Sequence, residues 1–502
     1  MSMTAFSDRS PCDSKGIDEG ASVQNRKVHF IGIAGAGMSA TAKLLRDSGA
    51  VVSGSDENVY PPVSHFLRAQ GIHYRTPYAA ENIPPGVDLF VIGKNAQLVP
   101  ETNAEVAAAH ASGRRIASFP EMLSEYSQGK DNVVVAGSYG KSTSAALLAH
   151  CLETAARHLG PHLDPSFFIG AIPLTPSVSA RKGQGNIFVL EGDEYPSSNT
   201  DPRAKFLHYR PAHLLITPLA HDHLNVFPTP DDYLRPFQEL ITLPPADAAI
   251  IVCTDRKRDS LSPAFLAGLS RPVVTYGVEE GDYRAADIRY GETTTFSIVH
   301  GNSLLADVET TQLGTHNVEN IVGVAALLCS RQLMPPRYIA DAVASFRGIR
   351  RRLDRKSDKT SIPIYEGFGS SYDKAHSAIV AMKLHFPKRR LIVVFEPHTF
   401  SWRNRAALHW YDDVFRGASK TYIFEPATQG AATHDQASQA EIVERVRSSG
   451  CDAEPISDPA EALRSIGAFL SSDDAILLLS SGNLGGLIEL IPAMAEKAFP
   501  DS

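Results

Sequence analysis

The hexamer Gly137-Ser138-Tyr139-Gly140-Lys141-Ser142, followed by Thr143, stands between the apolar run Val133-Val134-Val135-Ala136 and a helix-like stretch from Ser142 to Glu153. Glycines that let the backbone turn back, then a lysine and a hydroxyl at a helix start, suit phosphate. Main-chain N–H groups and the helix N-terminus converge on phosphate oxygens. The Lys141 ammonium offsets charge on the outer phosphates of a nucleotide such as ATP, and the Ser142 hydroxyl is placed to hold Mg2+. The loop is shorter than the general G-x-x-x-x-G-K-[ST] pattern, because Val135 occupies a position where that pattern has glycine. A bare Gly-Lys-Ser can be an incidental turn; the strand before it and the helix after it favour phosphate binding.

A second glycine turn, with Gly32, Gly35 and Gly37, follows the apolar run from Lys27 to Ile33, and Asp56 lies nineteen residues beyond Gly37. The spacing is G-x-x-G-x-G rather than the dinucleotide fingerprint G-x-G-x-x-G, so a diphosphate is favoured over a nicotinamide cofactor. The alternative is a tight turn that needs glycine only for its backbone geometry. Further on, Glu191-Gly192-Asp193-Glu194 follows the strand-like Ile187 to Leu190, and Asp222-His223 follows His213 to Thr217. An acidic quartet alone is usually a solvated loop. Beside a phosphate loop, a carboxylate and a histidine on neighbouring strand ends become candidates for holding Mg2+, namely Glu191 and His223 together with Ser142. In Gly314-Thr315-His316-Asn317-Val318-Glu319-Asn320, an asparagine could pair with a base edge, but on these residues alone helix capping is the favoured reading.

These residues need strand ends to carry them. Short apolar runs alternate with amphipathic stretches along the whole chain, which predicts three consecutive α/β domains, the first a parallel sheet with helices on its faces. Residues 1–24 are polar and read as a flexible tail. The first domain spans 25–129, with strands near Lys27 to Ile33, Val51 to Gly54, Leu89 to Ile92 and Arg115 to Ser118, and a helix from Ser39 to Ser48. The second spans 130–346 and carries the phosphate loop. The third spans 347–502, with strands at Ile362 to Tyr365, Arg390 to Phe395, Thr421 to Phe424 and Ala475 to Leu479.

A length of 502 residues, 43% hydrophobic and 21% charged, fits a multidomain globular protein. A formal charge of −8 speaks against nucleic acid as a partner, although Arg350-Arg351-Arg352 with Arg355 could meet a small anion. No apolar run is long enough for a membrane span and no leader pattern opens the chain, so a cytoplasmic location is expected. The five scattered cysteines, without a Cys-x-x-Cys pair, suggest reduced thiols.

Taken in order, His29-Phe30-Ile31-Gly32-Ile33-Ala34-Gly35-Ala36-Gly37-Met38, Gly137 to Thr143, Glu191 to Tyr195, His316 to Asn320 and Arg351-Arg352-Leu353 resemble the Mur ligase family, over about residues 27 to 490. Within that family, Gly54 to Pro62, and Glu191 to Tyr195 with Arg203 to Pro211, are similar to the murein peptide ligase branch, related to the branch that adds L-alanine. The resemblance implies a Rossmann-like UDP-binding domain, a P-loop ATPase-like central domain and a Rossmann-like C-terminal domain. It implies an ATP- and Mg2+-dependent ligase that joins a UDP-sugar carboxylate, UDP-N-acetylmuramate, to an amino acid or peptide through an acyl phosphate. Gly32, Gly35, Gly37, Met38, Ser39 and Asp56 would then bind the UDP-sugar. Gly137, Ser138, Tyr139, Gly140, Lys141, Ser142, Thr143, His316, Asn317, Asn320 and Arg352 would bind ATP, with Lys141, Glu191, His223 and Arg352 catalytic. His398, Arg403, Ser481 and Asn483 match the region that receives the amine.

The chain also departs from the family pattern. Pro218 stands where an asparagine is usual, and Glu366-Gly367-Phe368-Gly369-Ser370-Ser371-Tyr372 replaces Asp-Asp-Tyr/Phe-Gly/Ala-His-His-Pro. A ligase redirected to other substrates, or a UDP-sugar-binding protein without catalysis, are the alternatives these changes raise.

Overall fold

The structure, a computed structural model, describes residues 23–57, 59, 63–223, 226–254, 260–425 and 435–501. The tail over 1–22 with Cys12, and Asn58, Tyr60, Pro61 and Pro62 of the Gly54 to Pro62 stretch, lie outside the described residues. The chain divides into two compact units, residues 1–117 and 118–502.

In the first unit five parallel strands, β1 (Lys27–Ile31), β2 (Val51–Ser55), β3 (His73–Arg75), β4 (Leu89–Ile92) and β5 (Arg115–Ala117), lie in the order β3-β2-β1-β4-β5. The chain switches sides of the sheet at β1, so the crevice beyond β1 and β4 is where an open α/β sheet takes a ligand. The glycine turn leads from β1 into the helix Ala36–Asp47, which begins three residues before the predicted start at Ser39. Gly54 must be glycine, because a Cβ there would stand 2.7 Å from the Phe30 carbonyl oxygen and 2.6 Å from Ile33 Cδ1. Beneath the turn, His29 Nε2 meets Glu105 Oε1 at 2.8 Å, both side chains fully buried. Burial alone would push the Glu105 carboxyl up, but hydrogen bonds from His29, the Ala79 N–H and Asn82 hold it below its ordinary value. The same 78–82 segment sends Tyr78 Oη to Asp56. β3 escaped the sequence reading because it is a three-residue polar edge strand with no apolar alternation to mark it.

The second unit holds two sheets. The larger comprises β6 (Asp131–Ala136), β7 (Ser166–Phe168), β8 (Ala180–Arg181), β9 (Ile187–Glu191), β10 (His213–Ile216), β11 (Ile250–Cys253), β12 (Val274–Gly277), β13 (Tyr283–Tyr290), β14 (Thr294–His300) and β15 (Ser303–Thr310). Their order is β15-β14-β13-β12-β11-β10-β6-β9-β7-β8. The stretch from β13 to β7 is parallel, β14 and β15 continue from β13 as an antiparallel meander, and β8 closes the other edge antiparallel to β7. These strands alternate half-buried with buried residues, as an antiparallel sheet covered on one face does, whereas the continuous apolar runs visible in sequence mark only strands buried on both faces. The helices Lys141–Leu159 and Thr315–Ser330 share one apolar core with Val133, Val135, Val189 and Leu215 of the sheet.

The smaller sheet comprises β16 (Arg352–Arg355), β17 (Ile364–Gly367), β18 (Arg390–Phe395), β19 (Lys420–Phe424), β20 (Ala453–Ile456) and β21 (Asp474–Leu479), in the order β16-β17-β21-β18-β19-β20. Only β16 runs antiparallel. The α/β class expected from the sequence is therefore what the chain adopts. His385 pins the two sheets of this unit together. Its Nε2 accepts the Gly314 N–H at 2.9 Å, so Nδ1 carries the proton and donates to the Gly291 carbonyl at 2.6 Å. Burial keeps this imidazole below its ordinary pKa, consistent with a neutral ring.

Candidate active site

Because β9, β6 and β10 are neighbours in parallel, their C-terminal ends set three loops side by side: the glycine loop after Ala136, the acidic segment from Glu191, and Thr217 to His223. The glycine loop is packed to contact. A Cβ on Gly137, whose φ is +138°, would stand 2.2 Å from Thr217 Oγ1, and one on Gly140, φ +85°, would stand 2.3 Å from Asn320 Oδ1. Pro218 has a constructive part here: its carbonyl accepts the N–H groups of Ser138 and Tyr139, at 2.9 and 3.4 Å. Ser138 Oγ in turn bonds Tyr233 Oη and both backbone groups of Ala220. The amides left for an anion are those of the first helical turn, Lys141 to Thr143, which a helix start leaves without intrahelical acceptors.

The three carboxylates of the acidic segment take three different partners. Glu191 accepts the Ser142 hydroxyl at 2.7 Å and the Gly170 N–H at 2.6 Å, and burial raises its pKa despite these bonds. Asp193 turns away to Lys205 at 2.5 Å. Glu194, with its side chain 1% exposed, bridges Lys141 Nζ at 3.0 Å and His223 Nε2 at 3.3 Å. Burial by itself would lower the Lys141 pKa; Glu194 and Asp193 overcome that and hold the ammonium firmly charged. Glu194 is the residue the sequence reading passed over, having treated the quartet as one acidic cluster.

Ser142 Oγ and Glu191 adjoin as hard oxygen donors, the kind Mg2+ takes while keeping water and phosphate oxygens in its other positions. His223 is held differently, with Nε2 toward Glu194 and Nδ1 on Tyr195 Oη at 3.0 Å. Among the described residues no group of three or more His, Cys, Asp or Glu side chains is gathered in metal-binding geometry. The donor pair therefore fits a cation completed by the nucleotide rather than a cage made by the protein alone.

The predicted capping role for the asparagines after Gly314 does not hold. Gly314 is the N-cap residue, and no side chain caps that helix. Asn317 instead donates to the Leu313 carbonyl at 2.8 Å, and Asn320 donates to Asn317 while accepting from Ser144 of the loop helix. His316 packs at the same turn, close to Gly314. The pair thus fixes the height of the loop helix against its neighbour.

Of the arginine run, one member faces this site. Arg350 is exposed, Arg355 lies over Ser357 and Asp358, and Arg351 grips Glu366 Oε1 at 3.0 Å and the carbonyls of Ser480, Ser481 and Gly482. Arg352 sits on a β-bulge, since β16 slips register against β17 between Arg352 and Asp354. Its neighbours Arg351 and Leu353 both have positive φ, +65° and +56°, a conformation that costs an ordinary residue about 1–2 kcal/mol. Bulges re-aim side chains. Here the guanidinium lies 5.2 Å over the Phe368 ring and within electrostatic reach of Glu191, while burial lowers its pKa.

In the smaller sheet the ends of β17, β21 and β18 adjoin, which gathers Gly367 to Ser371, Ser480 to Asn483 and Glu396 to Arg403. Glu396 organises them: it receives His398 Nδ1 at 3.2 Å, the Ser480 hydroxyl and the Leu484 N–H. Gly482 passes so near that a Cβ would stand 2.6 Å from His398 Nδ1. Arg403 is buried, Asn483 caps the turn at Gly485, and the buried Ser481 Oγ has no hydrogen-bond partner among the described residues. A Cβ on Gly367 would meet Leu479 at 2.8 Å, so the position points into apolar packing and not toward a sugar.

In the first unit, Gly32 has φ +87° and its N–H bonds the Ser55 carbonyl. Asp56 accepts the Ala34 N–H at 2.8 Å and the Tyr78 hydroxyl at 3.1 Å, so its carboxylate shapes the glycine turn. Gly35 is the N-cap residue of the following helix and Gly37 lies in its first turn, while Met38 and Ser39 are buried within it. That leaves backbone groups as the surface this turn offers.

The Mur ligase family, catalytic domain, matches residues 27–131 and the Mur ligase middle domain matches residues 135–328. A UDP-N-acetylmuramate–L-alanine ligase of Halorhodospira halophila is 32% identical over 477 residues, 92% of each chain. Among solved structures, a UDP-N-acetylmuramate-alanine ligase of Thermotoga maritima superposes with a TM-score of 0.75 at 21% identity, over 94% of this chain and 99% of the other. A murein peptide ligase of Psychrobacter arcticus superposes with a TM-score of 0.65 at 25% identity and the same coverage.

Proposed function

Since the chain belongs to the Mur ligase family, we propose that it is an ATP-dependent ligase that joins a UDP-N-acetylmuramate-type carboxylate to the amine of an amino acid or peptide. The observation that carries this reading is the loop with its neighbour: Lys141 and Ser142 stand side by side on it, Glu191 at the end of β9 accepts the Ser142 hydroxyl, and the Arg352 guanidinium lies within electrostatic reach of Glu191. A carboxylate oxygen of the acceptor attacks the γ-phosphorus of ATP, an O–P bond forms, and the bond to ADP breaks. The neutral amine nitrogen then attacks the carbonyl carbon, the C–O bond to phosphate breaks, and the nitrogen's proton passes to the departing phosphate, which leaves as hydrogen phosphate.

Such phosphoryl transfer spreads negative charge over oxygens, so the protein's task is to position groups and stabilise charge. The amides of Lys141 to Thr143 receive the phosphates. Lys141 exchanges its hold on Glu194 for phosphate oxygen, and Arg352 meets the transferring group. Ser142 and Glu191 would hold Mg2+, which supplies further charge neutralisation when bound. The glycine turn with Asp56 takes the UDP moiety, and the loops ordered by Glu396, including His398, Arg403, Ser481 and Asn483, take the amine. The domain roles follow the three spans 25–129, 130–346 and 347–502.

A second reading, a Mur-type ligase redirected to a different carboxylate and amine, is favoured by Gly367, which leaves no acid where the resemblance has one. The two separate in one assay. With ATP, Mg2+ and UDP-N-acetylmuramate, phosphate release should require either L-alanine or the tripeptide L-alanyl-γ-D-glutamyl-meso-diaminopimelate. If neither amine elicits phosphate release, the first reading fails and the redirected ligase is favoured.

A further inference from the structure

Two cations contributed by the smaller sheet's side of the second unit, Arg352 and Lys374, stand toward the phosphate loop without an anion of their own. Among the described residues neither makes an ion pair, and the hydrogen-bond partner of Lys374 is the neutral Ser370 hydroxyl, 3.4 Å from Nζ. Lys374 lies in the first turn of the helix Tyr372–His385, where a positive charge opposes the helix dipole. The residue before it ties that turn to the loop: Tyr139 Oη donates to Asp373 Oδ2 at 3.3 Å. Lys374 is half-buried, and burial, Arg352 and Lys141 all press its pKa down, with Asp222 and Asp373 as the acids that offset part of this. Lys141 already has Glu194 as its partner, so Arg352 and Lys374 are the cations beside the loop that lack an ion pair among the described residues, and a multiply charged anion bound there would meet both.

We propose that Lys374 is a phosphate-binding residue, which grips the terminal phosphate of the nucleotide on the Gly137 to Ser142 loop from the side opposite Lys141. The proposal rests on the reading of that loop as an ATP site. Because the lysine reaches over from the smaller sheet's helix while the loop amides serve the inner phosphates, its contact distinguishes ATP from ADP. Charge-assisted hydrogen bonds are worth enough that losing one to a phosphate should weaken ATP binding about tenfold or more.

The test is a nucleotide titration of the full chain with Mg2+, following displacement of a fluorescent ATP analogue by ATP and by ADP. For Lys374→Met, and for Lys374→Gln as a second neutral variant, Kd for ATP should rise about tenfold while Kd for ADP moves by less than about threefold. Lys374→Arg should keep the preference for ATP. Thermal melting shows that the variants are folded. Equal weakening of ATP and ADP, or no change in either, overturns the proposal while leaving the nucleotide site in place. Failure of the unmodified protein to bind either nucleotide overturns the site and the proposal together.

Discussion

Lys141→Ala should lower turnover by at least about a thousandfold, because it removes the charge nearest the transferring phosphate in a site with little water to replace it. The structure adds a second expected effect. Lys141 is the cationic partner of Glu194, whose side chain is 1% exposed. Removing the lysine leaves that carboxylate with His223 alone, which should cost on the order of 3 kcal/mol of stability in a denaturant titration. The two effects can be separated. Lys141→Ala combined with Glu194→Gln should recover stability and recover no turnover. Turnover that returned with stability would show that Lys141 matters only as a structural ion-pair partner.

Glu191→Gln should lower kcat by about a hundredfold or more at fixed Mg2+ and raise the Mg2+ concentration needed for half-maximal activity. The glutamine can accept the Gly170 N–H with its oxygen and donate from its NH2 to the Ser142 hydroxyl oxygen, the two atoms Glu191 now holds at 2.6 and 2.7 Å, so the loop should keep its shape. It cannot supply the negative charge. Since burial already pushes the Glu191 carboxyl up, exchanging it for a neutral amide should leave stability unchanged or slightly raised. An unchanged Mg2+ requirement would remove Glu191 from the metal site and leave it as a brace between Ser142 and Gly170.

Much of this architecture was readable from the residues alone because parallel sheets are buried on both faces. Val133 to Ala136, Ile187 to Leu190 and Arg390 to Phe395 show up as continuous apolar runs, and the loops after the first two carry the chemistry. Where burial is one-sided or brief the signal fades, which is why β3 and the meander of β13, β14 and β15 were not anticipated. Within the site, residue types showed that Lys141, Ser142 and Glu191 belong together. Which carboxylate pairs with which cation depends on side-chain direction, and neither the separation of Glu191, Asp193 and Glu194 nor the bulge that aims Arg352 leaves a mark in the sequence. Lys374 was not among the residues the sequence singled out; its place in the first turn of its helix and its approach to the loop come from the structure.

The departures at Pro218 and Gly367 take on different weights. Pro218 needs no N–H, because its carbonyl is what the loop amides of Ser138 and Tyr139 use. Gly367 and Glu366 are a real change. Strand alternation sends one into the Leu479 packing and the other to Arg351 and Lys356, so neither is free to meet a ribose.

The acyl phosphate is the step on which the functional reading stands, and oxygen tracing tests it most directly. UDP-N-acetylmuramate carrying 18O in both carboxylate oxygens, incubated with the enzyme, Mg2+, ATP and an accepted amine, should deliver one labelled oxygen to inorganic phosphate for each amide formed. Phosphate released without label alongside amide formation, or ATP cleaved without any need for the carboxylate, would contradict it.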